Sequence, residues 1–217
     1  MSGRYHAAGD LPGTIPVFPL SGVLLLPRGQ LPLNVFEPRY LAMVDETLAG
    51  HRLIGMIQPS EPEEQTLKPA LATVGCAGRL SAYREAEDGR YLITLTGICR
   101  FRMAGEVGAA TPFRQVRADY APYAGDLAGS GEGEFPRDRL IGALKAYLSR
   151  RDLKADWQSV MSAPGETLVN ALAMLCPFDP AEKQALLEAR DWGERVAVLV
   201  ALLEMASASA PGPASIN

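Results

Sequence analysis

The spacing of apolar residues changes near residue 134, and this change constrains the fold more than any other feature of the chain. Before it, short apolar runs are broken by proline or alternate with polar residues, as in strands; after it, apolar residues recur every three or four positions, as on helices. Strands followed by helices are typical of the α+β class. We predict a β-rich subdomain over residues 14–123 and a helical subdomain over 134–206. The Gly- and acid-rich stretch 125–133 predicts a flexible boundary, and residues 1–13 and 207–217 are expected to be flexible tails.

The first half contains short segments of strand character, in which the prolines allow only edge or irregular strands. The predicted strands, apart from one hairpin, are Ile15–Leu20, Val23–Leu26, Leu31–Phe36, Leu53–Gln58 and Phe113–Tyr120. A helix is predicted to begin at Pro38 and to end at Gly50, because proline suits the first helical position and glycine the position just past the end.

The hairpin is predicted from Asp88-Gly89, which lies between two alternating runs. A two-residue turn there would place Ala82 opposite Leu95 and Leu80 opposite Gly97. In that register Tyr83 lies on the outer face of the hairpin.

Four helices are predicted in the second half. Their markers are the apolar stripes Leu140–Leu148 and Leu168–Leu175, a start at Asp179 and a start at Asp191. Asp179 is a typical N-cap, and Glu182 is spaced to complete a capping box. Helices this short need tertiary packing, so we expect them to pack together and onto the sheet.

Composition argues against several classes of partner. The net charge is -4 with a pI near 5.3, and the basic residues are scattered among acids, which argues against a nucleic-acid partner. The longest apolar run, Val196–Leu203, is far shorter than the ~20 residues that span a bilayer, so no membrane partner is expected. Residues 1–14 lack the apolar run of a signal peptide, and the three cysteines form no C-x-x-C pair. We therefore expect a cytoplasmic protein.

The sequence offers little catalytic chemistry. It has neither a phosphate-binding loop of the G-x-x-x-x-G-K-[ST] type nor an H-E-x-x-H pattern, and its two histidines are His6 and His51. A hydrolase with a Cys or Ser nucleophile needs a nearby base, and a cysteine enzyme would have to pair Cys76 or Cys99 with His51. No cofactor, no metal and no enzymatic activity are expected.

The segment Leu31–Tyr40 is the most unusual local string, because a strand runs directly into a proline-started helix. A structural interpretation has Glu37 stabilised at a helix N-terminus, with Phe36 and Tyr40 anchoring the junction in the core. A functional interpretation places Arg39 and Tyr40 on the rim of a peptide-binding site. The first is favoured, and the second stays open.

The same string, with Ile15–Leu20 and Leu24–Pro27 before it, resembles the opening of the Lon protease N-terminal domain. Leu53–Ile57 and Leu175–Leu187 resemble later parts of that domain, so the likeness covers residues 14–206. It implies a PUA-like fold, in which a twisted, partly closed β-sheet precedes a helical bundle. The chain contains neither the phosphate loop of the Lon ATPase module nor a Ser-Lys protease module, and so is similar to free-standing bacterial members of the family.

This resemblance implies a non-catalytic recognition module that binds unfolded or extended polypeptide segments. The candidate contacts are Phe36, Arg39 and Tyr40 at the strand–helix junction and Tyr83 on the hairpin. Client polypeptides are the expected partners, and a protease or chaperone is a further candidate.

Two alternatives stay open. PUA-like folds can also bind RNA, which would need the arginines of the strand half to converge on one face. Those arginines are Arg79, Arg84, Arg90, Arg100, Arg102, Arg114 and Arg117. The other alternative is a hydrolase that uses a Cys or Ser nucleophile.

Overall fold

Strands fill the first half of the chain and helices dominate the second, which confirms the predicted α+β class. The structure is a computed structural model that describes residues 5–61, 68–108, 110–128 and 135–208. The strands are β1 (Thr14–Pro19), β2 (Gln30–Val35), β3 (Leu53–Pro59), β4 (Leu71–Glu85), β5 (Tyr91–Val107) and β6 (Gln115–Asp119). The helices are α1 (Pro38–Ala49), α2 (Arg137–Arg150), α3 (Trp157–Ser162), α4 (Gly165–Leu175), α5 (Pro180–Glu188) and α6 (Trp192–Ala208), with 3₁₀ segments at Ala8–Asp10 and Ala121–Leu127.

The long strand β5 organises the sheet. Its first half pairs with β2, over Tyr91 to Thr96, and its second half pairs with β6. Because β6 also pairs with β1, the order β5-β4-β3-β1-β6 closes into a ring, and β2 lies outside the ring as an edge strand. The β1–β3 pair is parallel, and the other pairs are antiparallel. The predicted partly closed sheet is therefore present.

The segment Leu26–Arg28, which precedes β2, crosses β5 at Gly97 at very close range. We call it the crossing segment. A Cβ atom added to Gly97 would lie 2.0 Å from the carbonyl oxygen of Leu26, so only glycine fits there. The Arg28 N–H donates to the Gly97 carbonyl at 2.8 Å, and Arg28 has a positive φ of 66°. The predicted strand Val23–Leu26 is wrong, because this crossing leaves the segment without a ladder partner, although Leu24 to Leu26 are buried.

Two hydrophobic clusters stabilise the fold. One is centred on Ile15, Phe101 and Val116 of the ring strands. The larger one contains residues of both halves, including Phe18 and Tyr40 from the first and Leu140 to Leu203 from the second. The helices therefore share one core with the sheet, as the short apolar stripes predict. The subdomain limits 14–123 and 134–206 stay a prediction.

The helical predictions are largely confirmed. Asp179 caps α5, accepting from the Glu182 N–H at 2.8 Å while the Glu182 carboxylate accepts from the Asp179 N–H at 2.8 Å. Helix α1 begins at Pro38, with Gly50 as its C-cap. The prediction of four helices misses α3, a short helix whose N-cap, Asp156, accepts from two backbone N–H groups.

The hairpin is present, but its predicted register is wrong. The Ala86 N–H donates to Arg90, so Glu87, Asp88 and Gly89 form a three-residue loop, with Gly89 at φ 78°. Leu80 lies opposite Leu95, and an irregularity between Leu80 and Ala82 reverses the alternation beyond it.

Structure is also present where flexibility is predicted. In the stretch 125–133, Gly125 to Leu127 belong to the second 3₁₀ segment, while residues 129–134 lie outside the described residues. In the tail 1–13, residues 8–10 form a 3₁₀ turn and Leu11 is buried. Ser207 and Ala208 still belong to α6, and residues 1–4 and 209–217 are not among those described.

Candidate functional site

The strand–helix junction brings Arg39 and Tyr40 together, but in unequal settings. The Arg39 Nε–H donates to Glu37 at 2.9 Å, and its guanidinium carbon lies 4.5 Å from the centre of the Tyr40 ring. Tyr40 is only 7% exposed, its ring centre lies 4.1 Å from that of Phe18, and burial raises its pKa. Tyr40 therefore anchors the junction, and Arg39 covers it from the solvent side.

Phe36 and Tyr83 are the accessible aromatic residues of the predicted site. Phe36 follows the buried Val35 at the end of β2 and is 64% exposed. Tyr83 is 39% exposed and packs edge-on against Tyr91, with ring centres 5.1 Å apart.

The prediction that Tyr83 lies on the outer face of the hairpin is wrong. Beyond the irregularity in β4, Tyr83 lies opposite Ile93, so it shares a face with Tyr91 and the buried side of the sheet. Tyr91 donates to the Asp45 carboxylate of α1 at 3.1 Å, and this hydrogen bond raises the pKa of Tyr91 to about 12. The tyrosine pair thus ties the hairpin to α1.

A shallow groove runs across β2, β5 and β4, with a volume of about 480 Å³. We call it the β2–β5–β4 groove. Three consecutive residues of each strand line it, and they lie opposite one another across the three strands. They are Pro32–Asn34 of β2, Leu92–Thr94 of β5 and Ala82–Arg84 of β4. Tyr83 is one of the lining residues, although its ring lies with Tyr91 on the opposite face of the sheet from its neighbours Ala82 and Arg84. Phe36 lies two residues beyond the groove along the chain, and Arg39 and Tyr40 do not line it.

The groove borders an open sheet edge. Among the described strands, β2 pairs with β5 alone, so its other side carries unpaired backbone groups. Pro32 lies in the middle of β2, and proline fits an edge strand where its nitrogen faces away from the neighbouring strand. This edge therefore offers backbone hydrogen bonds except at Pro32.

A second concavity lies between the sheet and the helices and encloses about 330 Å³. We call it the arginine cavity, because Arg28, Arg100, Arg190 and Arg195 line it together with Asp126, Glu166 and Asp191. Arg28 of the crossing segment forms an ion pair with Glu166 of α4 and donates to the Asp126 carbonyl at 2.7 Å.

Arg100 is a buried cation of this cavity. Its guanidinium donates twice to the Asp126 carboxylate, and it also donates to the backbone carbonyls of Leu187 and Ala189 at the end of α5. Sequence reasoning did not find this cavity. The only local sign of it in the sequence is that the charged Arg100 lies between two apolar residues, Cys99 and Phe101.

The cysteine hydrolase hypothesis finds no support in the geometry. Cys76 and Cys99 are fully buried, and burial raises the pKa of Cys99 to about 12 and that of Cys76 well above its ordinary value. A nucleophilic cysteine needs the opposite shift. His51 is exposed at the end of α1. Within the described ranges, His, Cys, Asp and Glu form no group that could hold a metal ion.

Most of the strand-half arginines are paired with acids. Four of them pair with carboxylates, namely Arg90 with Asp88, Arg100 with Asp126, Arg102 with Asp119 and Arg114 with Glu106. Their charge is locally neutralised, which weakens the RNA hypothesis.

None of the helices in the described residues has both the length and the apolar character needed to traverse a bilayer.

Solved structures with the same architecture identify the class of domain. The Lon N-terminal domain protein from Xanthomonas campestris matches with a TM-score of 0.60 and 23% identity, covering 87% of this chain and 97% of that one. The N-terminal domain of the Mycobacterium avium complex Lon protease matches with a TM-score of 0.57 and 16% identity, covering 89% and 97%. At this identity the likeness concerns the fold: a strand ring joined to helices, as in Lon N-terminal domains.

The sequence places the chain more narrowly. The family model described as the ATP-dependent protease La (LON) substrate-binding domain matches residues 14–205, and the chain belongs to that family. Lon protease 2 of Sorangium cellulosum is 28% identical over 200 residues, and Lon protease 2 of Myxococcus xanthus is 24% identical over 204 residues. These alignments cover 88% and 89% of this chain but 24% of either relative, so the chain spans about a quarter of their length.

Proposed function

We propose that this chain is a non-catalytic recognition domain that binds extended polypeptide segments in the β2–β5–β4 groove and along the edge of β2. The observation that carries the proposal is the open edge beside a groove in a member of a substrate-binding family. An extended segment can add to such an edge through its backbone, while alternate side chains enter a neighbouring groove.

The exposed aromatics give this surface its affinity. Phe36 offers a large apolar area at the end of β2, and Tyr83 offers a partly exposed ring beside the groove. Aromatic side chains dominate the energetics of protein interfaces because they bury much area at little entropic cost. Arg39 and Tyr40 support the site from α1, Tyr40 by holding the junction and Arg39 by presenting a cation beside it.

Two further parts of the proposal follow from the same reasoning. Bound segments are client polypeptides, and a protease or chaperone would receive them.

The cysteines bear on the compartment. Cys76, Cys99 and Cys176 are all buried and unpaired, which suits a reducing compartment, and we propose the cytoplasm.

The test is peptide-array binding combined with crosslinking from the groove. Phe36→Ala and Tyr83→Ala should each weaken capture of extended apolar peptides, and the double variant should weaken it further. Leu175→Ala is the matched control, since Leu175 is an exposed apolar residue of α4 outside the groove. Equal loss in all variants, or crosslinks confined to the helices, would contradict the proposed surface. Retention of RNA that falls with added salt would instead favour the nucleic-acid alternative.

A further inference from the structure

Two residues that line the arginine cavity each have a buried hydrogen-bond donor without an acceptor. Neither Nη2 of Arg195 nor Nε1 of Trp192 has a hydrogen-bond partner among the described residues. Both residues line the cavity, and Arg195 is only 4% exposed. Buried donors are nearly always satisfied in folded proteins, so each such exception needs an explanation.

The carboxylates of the cavity are already engaged elsewhere. Asp126 accepts from Arg100, Glu166 is paired with Arg28, and Asp191 accepts from the Glu194 N–H at 2.9 Å as the cap of α6. Arg195 uses its Nε–H for the Leu186 carbonyl at 3.1 Å. No hydrogen bond joins a carboxylate of the described residues to its guanidinium. Of the four arginines in the lining, Arg190 is paired with Glu194, which lies outside the lining.

Arg195 is protonated and positively charged at neutral pH. Burial, followed by the nearby charge of Arg100, lowers its pKa to about 10, which still leaves the guanidinium charged at neutral pH. The Leu186 carbonyl and the nearby charges of Asp126 and Glu166 favour the charged form, and a bound anion would stabilise this buried cation further.

We propose that the arginine cavity binds a small oxyanion of the phosphate type, held by Arg195 and by the indole N–H of Trp192. Planar guanidinium groups match the oxygens of phosphate and carboxylate, and an indole N–H can only donate. The cavity volume of about 330 Å³ leaves room for a phosphate and part of an attached group. The site lies where Arg28 and Arg100 tie the sheet to the helices, so a bound oxyanion also stabilises that junction.

Inorganic phosphate is the probe. In a Trp157→Phe background, Trp192 is the sole tryptophan, and its fluorescence should change saturably with phosphate at constant ionic strength. Sulfate should compete, and acetate in its place shows whether a carboxylate suffices. In the otherwise native protein, phosphate should also raise the midpoint of thermal unfolding.

Two variants decide the role of the donors. Trp192→Phe keeps an aromatic ring against Phe135 but removes the N–H, and should weaken phosphate binding about tenfold or more in a thermal-shift titration. Arg195→Lys should weaken it as well. Arg139→Gln is the control, since Arg139 pairs with Glu204 on the surface outside the cavity.

Three outcomes would overturn the proposal. The first is no saturable response to phosphate beyond that of chloride at the same ionic strength, which would mean that solvent fills the cavity. The second is full phosphate affinity in the Trp192→Phe variant. The third is an equal loss in the Arg139→Gln control. None of these depends on whether the groove binds peptides.

Discussion

Arg100 of β5 and Asp126 of the second 3₁₀ segment form a paired double hydrogen bond, with Nε–Oδ2 and Nη2–Oδ1 distances of 2.9 Å each. The side chains are 5% and 10% exposed, and the Arg100 backbone N–H donates to the same carboxylate at 3.0 Å. Because Arg100 also donates to two carbonyls at the end of α5, one side chain links three parts of the fold. The pair fixes Asp126, at the start of the stretch where a flexible boundary is predicted.

Removing one partner of this buried pair should be strongly destabilising. We expect Arg100→Gln to lower the free energy of unfolding by about 3–5 kcal/mol, because it leaves a buried carboxylate uncompensated. Urea unfolding followed by circular dichroism measures the loss. Arg102→Gln is the matched control from the same strand: Arg102 pairs with Asp119 but is 61% exposed, so its loss should stay below about 1 kcal/mol. Similar losses in both variants would contradict the special position of Arg100.

The close crossing at Gly97 predicts a large steric effect. Gly97→Ala would place a Cβ atom 2.0 Å from the Leu26 carbonyl oxygen, so the crossing segment must shift and β2 with it. We expect a loss of about 3 kcal/mol or more in the free energy of unfolding, at the upper end of overpacking effects. Gly108→Ala, which meets nothing within 4 Å, is the control and should be nearly neutral. A stable, unchanged Gly97→Ala protein would show that the crossing is not as tight as described.

The buried cysteines should resist modification in the folded state. Burial raises the pKa of Cys99 to about 12 and that of Cys176 to about 11, so few thiolates form at about pH 8. A disulfide reagent should therefore label the native protein slowly and all three thiols rapidly after denaturation. Rapid labelling of any cysteine without unfolding would be inconsistent with this burial.

The same shifts set a direction for stability at alkaline pH. Each folded-state pKa lies above the unfolded value of about 8.5, so the neutral thiols favour folding below that pH. This contribution is lost as the pH rises from about 8.5 through the folded values, which are about 11 for Cys176 and about 12 for Cys99. The free energy of unfolding should fall across this window, and Cys99→Ala should make the fall shallower. A stability that rises with pH there would reverse the expected sign.

Pro32 should limit self-association through the open edge of β2. Pro32→Val adds a backbone N–H and a β-branched side chain in the middle of that edge, and edge strands with complete hydrogen-bonding rows pair with one another. We expect a shift toward dimers in sedimentation velocity at high protein concentration. Pro38→Ala, at the first position of α1, should leave the mass unchanged. A monomeric Pro32→Val protein would mean that other features protect the edge.

Local features of this fold can be predicted from the sequence, and contacts between distant segments cannot. The start of α1 at Pro38 and the capping box of Asp179 and Glu182 depend on neighbours within four residues. The partners of Arg100 lie 26 to 89 residues away, and nothing near Arg100 indicates them. The face of Tyr83 was mispredicted because one irregularity in β4 reverses the alternation, and no residue type marks that position.

The candidate site divides in the same way. Phe36 and Tyr83 are exposed as a contact surface requires, but the groove beside them depends on the pairing of β2, β5 and β4. Tyr40 belongs to a conspicuous motif, yet its burial against Phe18 gives it a supporting role. The motif Leu31–Tyr40 therefore predicts where the junction lies, but it does not predict that Tyr40 is buried while Phe36 is exposed.

The double use of β5 has a mechanical consequence. The same continuous strand forms the floor of the groove in its first half and a wall of the closed ring in its second. If an extended peptide adds to β2 as proposed, it pairs with a strand that is held against β5, and β5 is itself fixed by the ring. Little binding free energy should then be lost in ordering the domain. The conformational entropy lost on binding would then be lost almost wholly by the peptide.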